Sequence, residues 1–311
     1  MRVKTAVIGT GCLGQHHARI LKCHPNSKLE FVVDIDEKRA RKIAKTNKTN
    51  YLTDFNAVLG KVDAAVISVP TPYHYKATKS LLKNNVHCLV EKPFTLNLKE
   101  AEELIEIARI KNLILQVGHV ERFNPAVIAA APFINNPKFI EVNRLGPYNS
   151  RVNHTGVVLD LMIHDLDILF FLIRDKVTSF EAHGARVLSD NEDIAKVRLK
   201  YSNGCVADVS ASRISIGKYR RIRIFQSDSY ISIDYTKKSL KIYKKKNDRK
   251  RIISPFGIEI KKPKLRSNEP LFYELDNFLT SIINGREPSV TGKQGKDAVE
   301  LALNILKNMT F

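Results

Sequence analysis

The stretch KTAVIGTGCLGQHHARIL, from Lys4 to Leu21, decides the fold of the first part of the chain. Its apolar start predicts a short β-strand, and the residues after the glycines predict a helix. Between them Gly9, Gly11 and Gly14 have the spacing G-x-G-x-x-G. In this motif the first glycine permits a tight turn, the second lets a pyrophosphate approach the backbone, and the third lets the helix pack closely on the strand. The context of strand, turn and helix therefore predicts a dinucleotide-binding site.

An acidic residue stands where such a site needs one. Asp34 lies twenty positions beyond Gly14, at the end of the next apolar strand. A carboxylate there binds the adenosine ribose hydroxyls and repels a 2′-phosphate, so the sequence favours NAD over NADP. The nearby Lys38 and Arg39 weaken that preference. The cofactor contacts expected in this region come from the three glycines and from Cys12, Leu13 and Asp34.

Strands and helices continue to alternate up to residue 119. Apolar runs at 63–69, 86–91 and 113–119 are separated by helix-like segments at about 74–84 and 98–112. This order predicts a doubly wound parallel sheet of the α/β class, a Rossmann domain. Ligands of such sheets lie at the carboxyl ends of the strands. We therefore expect further cofactor contacts from strand-end residues, namely Pro70, Thr71, His74, Glu91 and Lys92.

A second stretch, GVVLDLMIHDLDILFFLI at 156–173, is as apolar as a protein core yet contains Asp160, His164 and Asp167. Spacings of four and three put these side chains on one face of a predicted helix. Because burying them unpaired is costly, they either pair with one another or face a wet cavity. Imidazoles titrate near neutral pH, so His164 is the candidate general base, with Asp160 orienting it or holding a substrate hydroxyl. A simple buried ion pair is the alternative, and we expect Asp167 to be structural.

Several motifs together resemble one oxidoreductase family, that of glucose-fructose oxidoreductase, inositol dehydrogenase and rhizopine catabolism proteins (Gfo/Idh/MocA). They are the glycine turn, VPTPYH at 69–74, EKP at 91–93, Asp160 four residues before His164, and the closing segment 269–306. The motifs occur in the family's order along the whole chain. GHVERFNPA, RLGPYNSR and VVLDLMIHDLDI are similar to the branch of UDP-N-acetylglucosamine 3-dehydrogenases, some of which serve lipid A synthesis.

The resemblance implies a second domain. It would be an α+β domain with a large, mostly antiparallel open sheet, often used as an oligomer interface. Strand-like runs at 177–188, 194–201, 204–213, 220–226, 229–235 and 239–244 are compatible with this sheet, as are helices at about 270–284 and 293–308. The division expected is a dinucleotide-binding domain at 1–121 and a substrate-binding and oligomerisation domain at 122–311, with the C-terminal helix packing back on the first domain.

The resemblance also implies a reaction, the NAD-dependent oxidation of a secondary hydroxyl, above all C3 of UDP-N-acetylglucosamine. In this reaction Lys92 would contact the reacting hydroxyl, either as a charge stabiliser or as part of a proton relay. The sequence does not decide whether Lys92 or His164 is the formal base, and we favour His164. Candidate substrate contacts are His119, Arg122 and Asn124, which follow a predicted strand, although Arg122 could equally cap a helix. Arg144 and Arg151 flank a turn. Their planar guanidinium groups suit a diphosphate, but they could also be surface arginines.

Two other functions stay open at this point. A dehydrogenase of inositol, a free sugar or another polyol would give Arg144 and Arg151 no role. A non-catalytic regulator that senses a dinucleotide or a sugar is the alternative of a different class, and the presence of Lys92, Asp160 and His164 argues against it. For a dehydrogenase, we expect a homodimer or homotetramer and a downstream aminotransferase that consumes the keto product.

Composition restricts the partners and the compartment. The net charge of the 311 residues is +19, and the segment 237–266 alone contributes +11. This segment is either a nucleic-acid patch or a solvated loop and strand edge, and its lack of interleaved aromatic residues favours the second. The four cysteines lack paired or metal-type spacing, which predicts a reducing cytoplasm and no metal site. No apolar stretch is long enough to predict membrane insertion.

Overall fold

The computed structural model describes residues 2–148, 155–245 and 258–311. The chain divides into two compact units. The first contains the chain up to Val120 and the later segment Asn268–Glu300, and the second contains Glu121–Ser267 and Leu301–Phe311. The sequence analysis placed the boundary between residues 121 and 122, with the C-terminal helix packing back on the first domain. The first unit here ends at Val120 and includes the later segment from Asn268 to Glu300.

Helices and strands alternate in the first unit, and strands dominate the second. The α-helices of the described residues are α1 (Gly14–Cys23), α2 (Glu37–Asn47), α3 (His74–Lys83), α4 (Leu98–Ile110), α5 (Pro125–Ala130), α6 (Ile163–Leu172), α7 (Pro270–Asn284) and α8 (Gly292–Lys307). The strands are β1 (Val3–Ile8), β2 (Ser27–Val33), β3 (Asn50–Leu52), β4 (Ala64–Ile67), β5 (His87–Glu91), β6 (Leu115–Gly118), β7 (Phe139–Leu145), β8 (Val177–Ala185), β9 (Ile194–Tyr201), β10 (Val206–Ser212), β11 (Tyr219–Phe225), β12 (Ser229–Asp234), β13 (Ser239–Lys245) and β14 (Ile258–Lys261).

The first unit contains a six-stranded parallel sheet. Its order is β3-β2-β1-β4-β5-β6, and every neighbouring pair is parallel. This confirms the predicted doubly wound sheet, although the sequence analysis did not predict α2 and β3. The order reverses between β1 and β4, and in such sheets the crevice at this point is the usual ligand site.

Apolar side chains at helical spacing explain why α7 belongs to the first unit. Leu275, Phe278 and Leu279 lie on one face of α7 and pack with Ala18 and Leu21 of α1. Burying a side chain such as leucine or phenylalanine stabilises the fold by about 1.5–3 kcal/mol. In the described part of the chain, every helix is too short or too polar to cross a bilayer.

The second unit contains an eight-stranded sheet in the order β14-β13-β12-β11-β7-β10-β9-β8. Neighbours are antiparallel except β7 and β10, which pair in parallel. This confirms the large, mostly antiparallel sheet. The turn at 201–205 joins β9 to β10, and its Gly204 has φ +81°. The sequence analysis missed β7 and β14, although β7 lies in the middle of the sheet.

The segment 156–173 differs from the single regular α-helix that its sequence predicted. Val158–Met162 forms a π-helical turn, and the α-helix α6 begins only at Ile163. The N–H of Ile163 donates to the carbonyl of Val158, five residues earlier. Asp160 therefore lies in the π turn and His164 in the first turn of α6. Single π turns are rare and occur frequently at functional sites.

Candidate active site

The glycine turn brings backbone atoms of the first unit closer together than a side chain would allow. Gly9 has φ +90°, and a Cβ there would lie 2.5 Å from the carbonyl oxygen of Ser68, just after β4. A Cβ on Gly14 would lie 1.9 Å from the carbonyl oxygen of Gly9. Both positions therefore require glycine, one for the tight turn and the other for the close packing of α1 on β1.

The turn opens onto a cavity of about 620 Å³ at the carboxyl ends of the strands. A Cβ on Gly11 would meet no atom of the described residues within 4 Å, so the backbone there is open to an approaching group. The N-terminus of α1 lies beside it and offers the positive end of a helix dipole. Ten of the eleven expected cofactor contacts line this cavity, namely Gly9, Gly11, Cys12, Leu13, Asp34, Pro70, Thr71, His74, Glu91 and Lys92. The arrangement fits a dinucleotide.

Asp34 follows β2 and is 8% exposed. One of its carboxylate oxygens accepts hydrogen bonds from the N–H and the hydroxyl of Thr10, both at 2.8 Å, and the other accepts from the N–H of Asp36 at 3.0 Å. The carboxylate thus ties the glycine turn to the loop after β2. Arg39 Nη1 lies 3.5 Å from Asp34 Oδ2, which places a cation beside the acid that would discriminate against a 2′-phosphate.

The sequence analysis missed several side chains on the cavity wall. Ile35 is 94% exposed although it is apolar, and it lines the cavity together with Thr53, Phe55 and Tyr73. Apolar side chains next to the ribose-binding acid suit an adenine ring. Ile35 could have been found because it directly follows Asp34 at a strand end. Thr53 and Phe55 could not, because they follow β3, which was not predicted.

His74 begins α3 and is fully enclosed. Its ring nitrogens lie 3.0 Å from the carbonyl oxygen of Pro93 and 2.9 Å from that of Val69. Burial lowers the pKa of His74, against the opposing effects of these carbonyls and of Glu91. A neutral imidazole has one N–H and donates to one carbonyl at a time. His74 therefore holds together two loops of the cavity wall.

Behind Lys92 lies a buried hydrogen bond that the sequence analysis did not foresee. His17 Nε2 lies 2.7 Å from Glu91 Oε1, and the exposed fractions of the two residues are 0% and 7%. Burial raises the pKa of Glu91, but the hydrogen bond and charge of His17, with the charge of Lys92, outweigh burial and lower it. The N–H of Lys92 donates to Glu91 Oε2 at 3.3 Å. An ionised Glu91 thus fixes the end of β5 and the backbone of Lys92, which directly follows it.

A third buried acid, Glu274 on α7, lies close to this pair. One ligand atom from each of His17, Glu91 and Glu274 lies within 4.8 Å of the others, which is a spacing that a metal ion could use. The direct hydrogen bond of His17 to Glu91 already explains two of the three groups. Gly118 permits the close packing, because a Cβ there would lie 3.1 Å from Glu91 Cα. His17 and Glu91 thus form a hydrogen-bonded pair, and the carboxylate of Glu274 lies beside them.

In the second unit, Asp160 and His164 are half-buried and Asp167 is fully buried. Arg122 donates from Nε and Nη2 to the two carboxylate oxygens of Asp167, each at 2.7 Å. Asp167 is therefore structural, as the sequence predicted. Arg122 is 5% exposed and committed to this pair, which does not fit the substrate contact expected for it.

Arg144 also differs from expectation. It is 2% exposed, and its guanidinium group donates to both carboxylate oxygens of Asp165, at 2.7 and 2.8 Å, and to Glu121 at 3.0 Å. Burial opposes the charge of Arg144, but the two acids raise its pKa overall. A guanidinium so enclosed and neutralised does not fit a diphosphate contact. Its physical role is to join β7 to α6.

The remaining candidate substrate residues are placed as follows. Asn124 is the N-cap of α5, since its side-chain oxygen accepts from the N–H of Ala126 at 3.0 Å. His119 directly follows β6 and is 0% exposed. Arg151 lies outside the described residues. Substrate binding by His119 and Asn124 stays a prediction.

A buried acid holds the start of the π turn. Glu192 Oε1 accepts a hydrogen bond from the N–H of Val158 at 3.0 Å. Gly156 permits this contact, because a Cβ there would lie 2.0 Å from the Glu192 carboxyl group. Together they fix the backbone from which Asp160 and His164 project.

Comparisons with known proteins extend over both units. Residues 3–119 match the oxidoreductase family GFO/IDH/MocA with an NAD-binding Rossmann fold, and residues 135–240 match the GFO/IDH/MocA C-terminal domain. UDP-N-acetylglucosamine 3-dehydrogenase of Acidithiobacillus ferrooxidans is 34% identical over 307 residues, which are 98% of this chain and 96% of the relative. A solved structure of that enzyme has a TM-score of 0.92 at 32% identity, over 99% of this chain and 98% of the other. The scyllo-inositol 2-dehydrogenase (NAD(+)) of Bacillus subtilis is 30% identical, over 93% of this chain and 89% of the relative.

Proposed function

The chain belongs to the GFO/IDH/MocA oxidoreductase family, and we propose that within it the chain oxidises C3 of UDP-N-acetylglucosamine to a 3-keto sugar nucleotide. The coarser activity follows from family membership: the protein is an NAD-dependent oxidoreductase that acts on CH–OH groups. The observation that carries the substrate is the 34% identity to UDP-N-acetylglucosamine 3-dehydrogenase over 98% of the chain.

The proposed mechanism gives each polar residue one task. NAD, when bound, supplies the hydride acceptor. His164 accepts the proton of the reacting hydroxyl as general base, and Asp160 orients the imidazole or holds a neighbouring hydroxyl. Lys92, held at the end of β5 by Glu91, stabilises the alkoxide character that develops as the proton leaves. The further proposed substrate contacts are His119 and Asn124.

A second candidate is an inositol, free-sugar or polyol dehydrogenase of the same family. The 30% identity to scyllo-inositol 2-dehydrogenase over 93% of the chain favours it. The burial of Arg144 and its ion pairs with Asp165 and Glu121 also remove one argument for the nucleotide sugar. The regulator without catalysis loses its support, because the family and its matched relatives are dehydrogenases.

A substrate panel separates the two candidates. Purified protein with NAD is given UDP-N-acetylglucosamine, N-acetylglucosamine, myo-inositol or scyllo-inositol, and NADH formation is followed by absorbance. Glutamate and an aminotransferase in a parallel sample remove the keto product. We expect the highest kcat/KM with the nucleotide sugar and none of that activity in His164→Ala, while His183→Ala, an exposed histidine of the same unit, retains it. Highest kcat/KM with an inositol would reject the proposed substrate and retain the dehydrogenase.

We also propose that the protein is a homo-oligomer. The face of the second sheet opposite the buried core bears a row of rings, with centroids 5.9 Å apart for Phe139 and Phe225, 5.0 Å for Phe225 and Tyr230, and 5.1 Å for Tyr230 and Tyr243. Aromatic rows of this kind are typical of protein interfaces. Light scattering on the wild type should give a multimer, and Tyr230→Asp should dissociate it.

The proposed surroundings follow from the same chemistry. A 3-keto sugar is a substrate for transamination, so the partner we propose is an aminotransferase that consumes it. All four cysteines are free thiols, which suits a reducing compartment, and we propose the cytoplasm. If no 3-amino sugar nucleotide is detected when both enzymes are present, the proposed partner is rejected. The proposed dehydrogenase activity is unaffected by that result.

A further inference from the structure

One arginine of the second unit differs from those around it. Arg220 lies near the start of β11, directly opposite Arg144 in the antiparallel ladder of β7 and β11. Side chains directly opposite in such a ladder leave the sheet on the same face. Arg144 reaches Asp165 of α6 on that face. The guanidinium of Arg220 therefore lies on the face of the sheet that carries α6.

The charge of Arg220 is not neutralised as its neighbours are. Six arginines of the second unit each form an ion pair with an acid of that unit, namely Arg122, Arg144, Arg198, Arg213, Arg221 and Arg223. Arg220 forms none with any described residue. Its buried Nε, like that of Arg221 and Arg223, has no hydrogen-bond partner among them. The side chain as a whole is half-buried, so part of it is exposed to solvent.

This guanidinium lies near the proposed catalytic helix. Burial and the like charge of Arg144 lower the pKa of Arg220, while Glu121, Asp165 and Asp160 act in the opposite direction. Glu121 and Asp165 are already hydrogen-bonded to Arg144. A half-buried cation that shares two neighbouring acids, Glu121 and Asp165, with another arginine is stabilised by an anion that binds beside it.

We propose that Arg220 is the anion-binding residue of the substrate site and takes the diphosphate of a nucleotide-sugar substrate. The inference rests on the proposed function for the identity of the substrate. Two of its donors lie in one plane and match two phosphate oxygens, a geometry that lysine does not provide. Arg220 thus takes the role that the sequence suggested for Arg144, and it places the diphosphate on the same face as Asp160.

The test compares Arg220→Met with Arg221→Met. Arg221 is the adjacent residue, points to the opposite face and pairs with Asp234, so its loss should leave the substrate site unchanged. A charge-assisted hydrogen bond contributes enough that Arg220→Met should raise the KM for UDP-N-acetylglucosamine at least about tenfold. Turnover of uncharged N-acetylglucosamine should not change. Arg220→Lys should recover part of the loss, since it keeps the charge and loses the planar geometry.

Binding measurements separate this inference from the proposed function. Calorimetry with UDP and with inorganic pyrophosphate is done on NADH-loaded wild type and variants. Circular dichroism reports whether the variants are folded, because the dinucleotide cavity lies in the first unit and Arg220 in the second. The wild type could oxidise no nucleotide sugar and yet bind UDP at least about tenfold more tightly than Arg220→Met does. That result would support the anion site and reject the proposed substrate. If the wild type oxidises the nucleotide sugar and Arg220→Met and Arg220→Lys match it in KM and UDP affinity, the inference is overturned. If Arg220→Met does not fold, Arg220→Lys decides by the same criterion.

Discussion

His17 Nε2 and Glu91 Oε1 lie 2.7 Å apart in the interior of the first unit and join the first helix, α1, to β5, the strand that ends directly before Lys92. The two residues are 74 positions apart in the chain, so no local pattern indicates their contact. The pair also supports the backbone of Lys92, the residue proposed to stabilise the alkoxide, because the carboxylate accepts the N–H of Lys92.

Removing the imidazole should be costly. In His17→Ala the carboxylate of Glu91 remains buried without its hydrogen-bond donor, and we expect the free energy of unfolding to fall by about 3 kcal/mol or more. His16→Ala is the matched control, since His16 is the exposed neighbour on α1 and should change the value by less than about 0.5 kcal/mol. Urea denaturation followed by circular dichroism gives both values. Equal effects of the two substitutions would contradict a structural role for the pair.

Substitution of two glycines of the turn should distinguish effects on NAD affinity from effects on the stability of the fold. Gly14→Ala puts a Cβ 1.9 Å from the carbonyl of Gly9, so we expect a loss of stability. Gly11→Ala meets no atom of the described residues within 4 Å, so stability should be preserved. Because that Cβ enters the space expected for the pyrophosphate, the Kd for NAD should rise at least about tenfold. Calorimetric titration with NAD measures this, and unchanged affinity in Gly11→Ala would argue against a pyrophosphate at the turn.

Two of the bidentate arginines of the second unit, Arg144 and Arg198, should differ in their effect on stability. Arg144→Met leaves the buried Asp165 and the half-buried Glu121 without this cation, and we expect a loss of about 3–5 kcal/mol in the free energy of unfolding. Arg198 makes the same kind of pair with Asp208, but its side chain is 52% exposed. Arg198→Met should therefore cost at most about 1 kcal/mol. A mild effect of Arg144→Met on stability combined with a large rise in substrate KM would restore the substrate role of Arg144.

Acid sensitivity should be traceable to His87. Its Nδ1 accepts a hydrogen bond from the N–H of Ile114 at 2.9 Å, and burial lowers its pKa despite the charge of Asp63. The unfolded chain, with a histidine pKa of about 6.5, binds the proton more readily than the folded protein. This contribution to stability is therefore complete above about pH 6.5 and is lost as the pH falls below it.

His87→Asn tests this, because its amide oxygen is an acceptor that does not titrate. Between about pH 7 and about pH 5, the Tm of the variant should fall less than that of the wild type. His16→Asn, at an exposed position, serves as the control and should follow the wild type. Parallel Tm curves for the wild type and His87→Asn would show that His87 does not carry the pH dependence.

The parts of the fold that the sequence revealed are those with local patterns. The glycine spacing at 9–14 and the buried alternating strands identified the parallel sheet, and the turn at 201–205 identified one hairpin of the second sheet. β7 was not predicted because Glu141, Asn143 and Arg144 interrupt its apolar sequence. In the fold Arg144 is buried, and its charge is neutralised by acids from distant positions in the chain. Charge neutralisation across the fold cannot be seen in a local window.

The site shows the same limit. Cofactor-cavity residues follow strand ends, so their positions could be deduced from the alternation of strands and helices. The roles of the arginines could not be deduced in this way, because the sequence does not show whether an arginine is buried or exposed. Arg144 was a candidate because it lies in the motif RLGPYNSR. Arg220 lies in a basic run, YRRIRIF, in which no single arginine stands out as a candidate ligand. Only the pairing of β7 with β11 shows that Arg220 lies opposite Arg144, on the face of the sheet that carries α6.

The most direct test of the central claim follows the transferred hydrogen. UDP-N-acetylglucosamine deuterated at C3 is incubated with the protein and NAD, and the reduced nicotinamide is examined by mass spectrometry. We expect deuterium in the cofactor and a slower rate than with unlabelled substrate. Reduced cofactor without deuterium would show that another carbon is oxidised, and no reduced cofactor with this substrate, alongside NADH formation with an inositol, would contradict the nucleotide-sugar assignment.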